Sequence, residues 1–239
     1  MNRLHVITPV KDSIETTLQT IESIMNQHSD IEFKYSVYND FSTDETTLQL
    51  QNASKKYGFN LINLANITEH PSPNYRMILQ LAQQEALIDN AHLLIIESDV
   101  IVTNNTIEQL KKIAESTENA GMLASVTVDA DQNINFPYLY AKEFKYGQIK
   151  TNKRLSFCCT LLTNKLLSAY NFQELDSTKS WYDIFVSHKS IALGFDNYLL
   201  TNLHVLHLPH SSRPWKLLKY SHPIKYYLRK IFIHNPDKF

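Results

Sequence analysis

Glycine is nearly missing from this chain: 4 in 239 residues, against an ordinary usage of about 7%. That scarcity removes the phosphate cradles that glycine builds. There is no G-x-G-x-x-G for a dinucleotide, which argues against a nicotinamide-dependent dehydrogenase, and no P-loop. If such a chain handles a nucleotide diphosphate, a metal must carry much of the charge. Cysteine is as scarce. Cys158 and Cys159 are adjacent, neighbours rarely bridge each other, and no Cys-x-x-Cys exists for zinc. A reduced, cytosolic setting is the expectation, which makes the sequons at Asn52, Asn66 and Asn104 incidental. An excess of one charge is lacking too. The formal net charge is −1 and the pI about 6.8, so no global field draws nucleic acid. No apolar run approaches the ~18 residues of a membrane span. The N-terminus, Met1 to Val6, reads as a strand entered at once, without the apolar core of a signal peptide.

What is present is a length that allows one large domain or two small ones and enough apolar residue, 43%, for a proper core. With no repeat, low-complexity tract or clear linker, one continuous domain is expected. The most informative feature is the apolar run His92-Leu93-Leu94-Ile95-Ile96, followed at once by Glu97-Ser98-Asp99. Carboxylates are costly to hold against an apolar core, so this pair should face an opening. In open α/β sheets ligands bind beyond the carboxyl ends of strands, and paired carboxylates there suit a hard cation. Spacing alone is weak. Asp30/Glu32 and Asp129/Asp131 share it, but only Glu97/Asp99 ends an apolar strand.

Strand and helix signals alternate through the first half. Residues 4–10, 33–38 and 59–64 read as strands. Ile14, Leu18, Ile21, Ile24 and Met25 mark one helical face, opened by Asp12 with Glu15 as a capping box. Residues 42–45 cap a second helix reaching about Tyr57, and a third spans about 75–88. Such alternation implies a mostly parallel sheet. In the second half, residues 122–128 read as a strand and 138–149 as a hairpin. Residues 179–193 form a helix ended by Gly194. A β-like stretch at 198–208 carries His204 and His207, with His210 just beyond.

The tail, residues 213–239, holds seven Lys/Arg against one Asp, interleaved with Trp215, Tyr220, Tyr226, Tyr227 and Phe232. Two readings stand: a basic aromatic helix on an anionic membrane surface, or a C-terminal helix packed on the domain with a solvated basic face.

Four segments occur in order. They are Val6-Ile7-Thr8-Pro9-Val10; Val37-Tyr38-Asn39-Asp40-Phe41-Ser42-Thr43-Asp44; Glu97-Ser98-Asp99-Val100; and Trp181-Tyr182-Asp183 through Lys189 to Gly194, before a strand ending in His207. Together they resemble the family 2 glycosyltransferases of the GT-A fold, over about residues 3–212. The second segment, near the family's V-D-D-G-S-T-D-x-T, is the most specific. Asn39 and Phe41 stand for the usual Asp and Gly, Glu97 for the first Asp of the D-x-D motif, and Tyr182 for a frequent Glu. A sugar-phosphate nucleotidyltransferase shares the broad architecture, but Val10-Lys11-Asp12-Ser13 lacks its Gly- and Arg-rich loop.

The resemblance implies an α/β GT-A-like domain, residues 1–212: a mostly parallel sheet flanked by helices, with a basic C-terminal helical extension at 213–239. It implies inverting transfer of a sugar from a nucleotide-sugar donor, a UDP-sugar favoured, to a hydroxyl of a glycan or glycolipid of the cell envelope. A cytoplasmic protein, peripheral on the inner membrane face, is the matching location. Asp99 and His207 are implied as ligands of a divalent cation, Mn²⁺ or Mg²⁺, with His210 as the fallback. Glu97 supports the donor sugar or a metal-bound water, beside Ser98. Asp40 contacts the nucleobase in a pocket lined by Thr8 and Pro9, and Arg76 reaches base or diphosphate. Asp183 is the general base, although a carboxylate there also complements a helix N-terminus. Lys189 stands at a position often basic in the family. Trp181 is read as a core tryptophan ahead of a sugar-stacking one. A domain that binds nucleotide or glycan without catalysis is the alternative.

Overall fold

The computed structural model describes residues 3–27 and 31–208. His210 and the tail at 213–239 lie outside them. The strands are β1 (Arg3–Val10), β2 (Lys34–Asn39), β3 (Asn60–Asn63), β4 (Ala91–Ile96), β5 (Val100–Ile101), β6 (Ala120–Val128), β7 (Gln148–Lys150), β8 (Cys159–Leu162) and β9 (Asp196–His207). The helices are α1 (Ile14–Met25), α2 (Asp44–Tyr57), α3 (Tyr75–Ile88), α4 (Thr106–Ser116), α5 (Asn164–Ala169) and α6 (Tyr182–Ala192).

One sheet runs β3-β2-β1-β4-β8-β6-β9-β5, with β7 pairing to β9. The β1–β4 half is parallel. Beyond it β8 pairs antiparallel with β4 and β6, while β6 and β9 are parallel. The sheet is therefore mixed. The parallel expectation holds where helices separate successive strands, as a parallel crossover requires.

β4 is buried along its whole length, which is why it reads as an unbroken apolar run and not as an alternation. Leu93 and Ile95 join Ile78, Leu79 and Ala82 of α3 on one face. Leu94 and Ile96 join Ile21 and Ile24 of α1, Leu50 of α2 and Leu110 of α4 on the other. Strand order reverses between β1, which leads to β2, and its other neighbour β4. A crevice opens at such a switch point, and the carboxyl end of β4 delivers Glu97-Ser98-Asp99 there.

Several local expectations change. Asp12 does not cap α1. Asp12 and Ser13 both take left-handed backbone, φ 57° and 54°, and Ser13 occupies the cap position without a side-chain capping hydrogen bond. The Asp12 carboxylate instead accepts the Thr43 N–H at 2.8 Å. Thr43 caps α2, its hydroxyl accepting from Thr46 N–H. Residues 138–149 are not a hairpin: a 3-10 turn at Leu139–Ala141 precedes β7, which pairs with β9. β8 and helices α4 and α5 add to the elements expected from the sequence.

Candidate active site

The acidic triplet at the end of β4 meets three other segments. The first is the turn before β8. Glu97 N–H donates to the Cys158 carbonyl at 3.0 Å, and Cys158 Sγ donates to Glu97 Oε2 at 3.3 Å. The β4–β8 ladder, pairing Ile96 with Cys159, sets this contact.

The second segment is the end of β9. β5 pairs antiparallel with it, Val100 opposite His207, and Leu208 N–H donates to the Asp99 carbonyl at 2.8 Å. His207 is thereby held against Asp99, with Nε2 3.2 Å from Oδ2. Its Nδ1 lies 2.8 Å from the Phe136 carbonyl. A carbonyl only accepts, so Nδ1 carries the proton and Nε2 of the neutral ring presents a lone pair. A lone pair facing a carboxylate at that distance needs a proton or a cation between them. Burial lowers the affinity of His207 for a proton. Asp99, then Glu97 and the Phe136 carbonyl, outweigh burial, and the pKa is raised.

The third segment is the first turn of α6. Asp183 Oδ1 accepts the Ile184 N–H at 2.9 Å, and Oδ2 faces Arg154 at 4.0 Å. Arg154 belongs to no motif in the sequence and comes to Asp183 only through the fold. Ser187 ties α6 to the segment before Cys158, donating to the Asp183 carbonyl and accepting the Leu155 N–H. Burial raises the Glu97 pKa, the negative charges of Asp99 and Asp183 add to it, and His207 and the Cys158 hydrogen bond oppose it. Tyr75 borders the same group. Its ring stacks on Tyr182 at 6.3 Å, and its buried hydroxyl has no hydrogen-bond partner among the described residues. Burial and the charges of Glu97 and Asp183 hold that hydroxyl protonated.

Ligand atoms of Glu97, Cys158 and His207 all lie within 4.8 Å of one another. Atoms bound to one metal at about 2.0–2.3 Å must lie that close. With Asp99 in contact with His207, the donor set fits a divalent cation. Asp99 itself is fully buried.

The other implied residues are placed differently. The Asp40 carboxylate is buried and takes three hydrogen bonds at 2.8 Å, from Ser72 Oγ, Asn74 N–H and Asn74 Nδ2. It clamps the loop entering α3. Thr8 is fully buried and accepts from Tyr35 Oη at 3.0 Å; Pro9 is half-buried beside it. Ser98 is buried next to Asp99. Arg76 turns to the Gln173 carbonyl at 2.9 Å. Lys189 sits 4.0 Å from Glu174 and over the Tyr170 ring. Trp181 is 61% exposed, so the core reading is corrected: the ring precedes Asp183 and faces solvent. Asn39 Nδ2 donates to Thr47 Oγ1 and Asn63 Oδ1, a donation that the usual Asp cannot make. Phe41 has φ 56°, where the family's Gly would sit without strain.

A doubly flanked α/β sheet whose switch point carries a carboxylate pair, a late histidine and a helix-borne aspartate has the GT-A glycosyltransferase architecture. The model of glycosyl transferase family 2 matches residues 5–167, well over half of the chain, and the chain belongs to that family. TarS from S. aureus superposes with a TM-score of 0.67 at 15% identity, covering 91% of this chain and 64% of that one. A TarS complex with UDP-GlcNAc gives 0.67 at 15%, covering 87% and 59%. The mannosyltransferase PcManGT from Pyrobaculum calidifontis, in complex with GDP-Man and Mn²⁺, gives 0.66 at 16%, covering 96% and 64%. The chain thus spans less than two thirds of the length of these relatives. No curated protein sequence matches it.

Proposed function

We propose that this chain transfers one sugar, with inversion, from a nucleotide-diphosphate donor to a hydroxyl of a glycan or glycolipid. The observation that carries the reading is the His207–Asp99 contact beside Glu97, with Asp183 across the same group. TarS bound to UDP-GlcNAc and PcManGT bound to GDP-Man and Mn²⁺ support a nucleotide-sugar donor and a divalent cation here. A UDP-sugar is the favoured donor.

Asp99, His207 and Glu97 would hold the cation, Mn²⁺ or Mg²⁺. When bound, it neutralises charge on the departing diphosphate. Asp183 takes the proton of the acceptor hydroxyl as that oxygen attacks. Its Oδ1 accepts the Ile184 N–H, and Oδ2, which faces Arg154, is the atom assigned to receive the proton. Tyr75 has a buried hydroxyl ready to donate to a donor oxygen, at no cost in broken protein bonds. The exposed Trp181 ring, adjacent to Asp183, suits stacking on an acceptor sugar. Pro9, Ser98 and the Asp40 clamp border the nucleotide, Thr8 supports that wall from within, and Arg76 lies at its rim.

The domain is taken as residues 1–212. The basic tail, residues 213–239, is assigned to an anionic membrane surface on the cytoplasmic side, which fits a lipid-linked acceptor; no described helix is long and apolar enough to cross a membrane. A thermal-shift screen of UDP-, GDP-, dTDP- and CMP-sugars, with and without Mn²⁺, tests donor and metal together, because a ligand of the native state stabilises it by mass action. Transfer of label from the stabilising donor completes the test. If no nucleotide sugar stabilises the protein under either condition, the reading fails. A stable complex without turnover favours the non-catalytic binder.

A further inference from the structure

Cys158 has no part in the chemistry above, yet it is the residue that most alters the metal site. Its sulfur lies within 4.8 Å of ligand atoms of both Glu97 and His207. Among the described residues, this is the one group of three or more His, Cys, Asp and Glu side chains that comes so close. Oxygen-only sites suit Mg²⁺ and Mn²⁺, while a set of thiolate, imidazole and carboxylate suits Zn²⁺ or Co²⁺. Three protein ligands leave a fourth position open, the arrangement of sites that bind a further group.

The three ligands are also held in place. Cys158 is 3% exposed, and its backbone carbonyl is fixed by the Glu97 N–H. His207 is oriented by the Phe136 carbonyl through Nδ1. Such second contacts fix which nitrogen faces a metal. The ligands thus come from three segments that backbone bonds or strand pairing already lock together.

We propose that Cys158, Glu97 and His207 form a mixed sulfur–nitrogen–oxygen site that selects Zn²⁺ or Co²⁺ over Mg²⁺. On binding, the Cys158 thiol gives its proton to solvent and the sulfur becomes a ligand of the cation. The proposal deepens the function above and rests on that reading of this crevice as a cation site.

The test uses Co²⁺ as a spectroscopic probe of the full chain. Sulfur ligation gives an intense sulfur-to-cobalt charge-transfer band in the near ultraviolet. The wild-type protein should show that band, Cys158→Ser should lose it, and Cys159→Ser should keep it. Calorimetry should find Zn²⁺ bound at least about tenfold more weakly by Cys158→Ser, a scale that even outer-shell changes reach, with Mg²⁺ affinity within about twofold. A wild-type Co²⁺ complex with no sulfur band overturns the proposal, whatever the variants do. In that case, Mn²⁺-dependent stabilisation by a nucleotide sugar would leave the proposed function standing. If no divalent cation binds at all, the proposal and the metal part of that function fall together.

Discussion

His207 Nε2 stands 3.2 Å from Asp99 Oδ2, and a backbone ladder, not a side-chain accident, sets that separation. Val100, next to Asp99, pairs with His207 in the β5–β9 ladder, and Leu208 N–H bonds the Asp99 carbonyl. The imidazole therefore has little freedom to leave the carboxylate. Its proton on Nδ1 is fixed by Phe136. Replacing His207 by Gln removes the imidazole nitrogen and leaves only a neutral amide oxygen, a weaker ligand on a more flexible side chain. Mn²⁺-dependent stabilisation by the nucleotide donor should weaken by about 10–100-fold in apparent affinity. Titrating Mn²⁺ at fixed donor in a thermal-shift assay measures this. An unchanged Mn²⁺ curve would remove His207 from the metal site.

Asp183 stands at the start of α6, accepting a helix N–H through Oδ1 and facing Arg154 through Oδ2. Asp183→Asn keeps an oxygen for the Ile184 N–H, so the fold should survive. Transfer should fall by about 10²–10⁴-fold, the usual contribution of a positioned base, with donor affinity within about twofold. Steady-state rates beside nucleotide binding separate the two. A variant with near-normal turnover would transfer the base role elsewhere.

Asp40 is engaged by three donors from the Ser72–Asn74 turn. Asp40→Ala leaves both buried Asn74 donors and the half-buried Ser72 hydroxyl without this acceptor. We expect a loss of about 3 kcal/mol of stability, since an orphaned buried group costs about 1–3 kcal/mol. Urea unfolding with an unchanged slope would register it. A loss below about 0.5 kcal/mol would mean that the turn does not depend on this carboxylate.

His92 sits at the amino end of β4, its Nδ1 accepting the Asn164 N–H at 3.0 Å. Burial, ahead of the partly cancelling charges of Glu115 and Lys111, drops its pKa from 6.5 to about 4. The sign follows from proton counting: below pH 6.5 the unfolded chain binds a proton that folded His92 does not. Its contribution is complete above that pH and erodes between about 6.5 and 4, by on the order of 3 kcal/mol at 1.36 kcal/mol per pKa unit. His5, also lowered chiefly by burial, acts in the same direction. The difference in stability between wild type and His92→Asn should change across that window. Parallel profiles from pH 7 to 4 would discard the assignment.

Gly121 packs β6 against α6 and the turn after it. A Cβ there would lie 2.2 Å from Ser190 Oγ and 2.8 Å from Phe195 Cβ. Gly121→Ala should cost about 1–3 kcal/mol, as overpacking does, measurable by thermal or urea unfolding. A neutral outcome would show that α6 yields freely.

Much of the parallel half was legible in the residues. Periodicity in α1, the Thr43 cap, the run into Glu97 and the family segments all depend on neighbours within one helix turn or one strand. Where the reading went astray, distant partners decided. Asp12 looked like a cap until the Thr43 N–H claimed its carboxylate. Trp181 looked like core because tryptophan is usually covered, yet its ring is 61% exposed. The stretch at 138–149 looked like a hairpin, but β7 found its partner in β9.

The sequence by itself determined the family, the alternation of β1 to β4 and the presence of an acidic pair where β4 runs out, because those signals are local and repeat with the period of a helix or a strand. Only the tertiary structure decided that His207, Cys158 and Asp183 share a neighbourhood with that pair, that Asp40 is held by a turn, and that the second half of the sheet is mixed. Those outcomes depend on which strands pair across long stretches of chain, and pairing is set by the packing of two whole sheet faces, which no short window of residues contains.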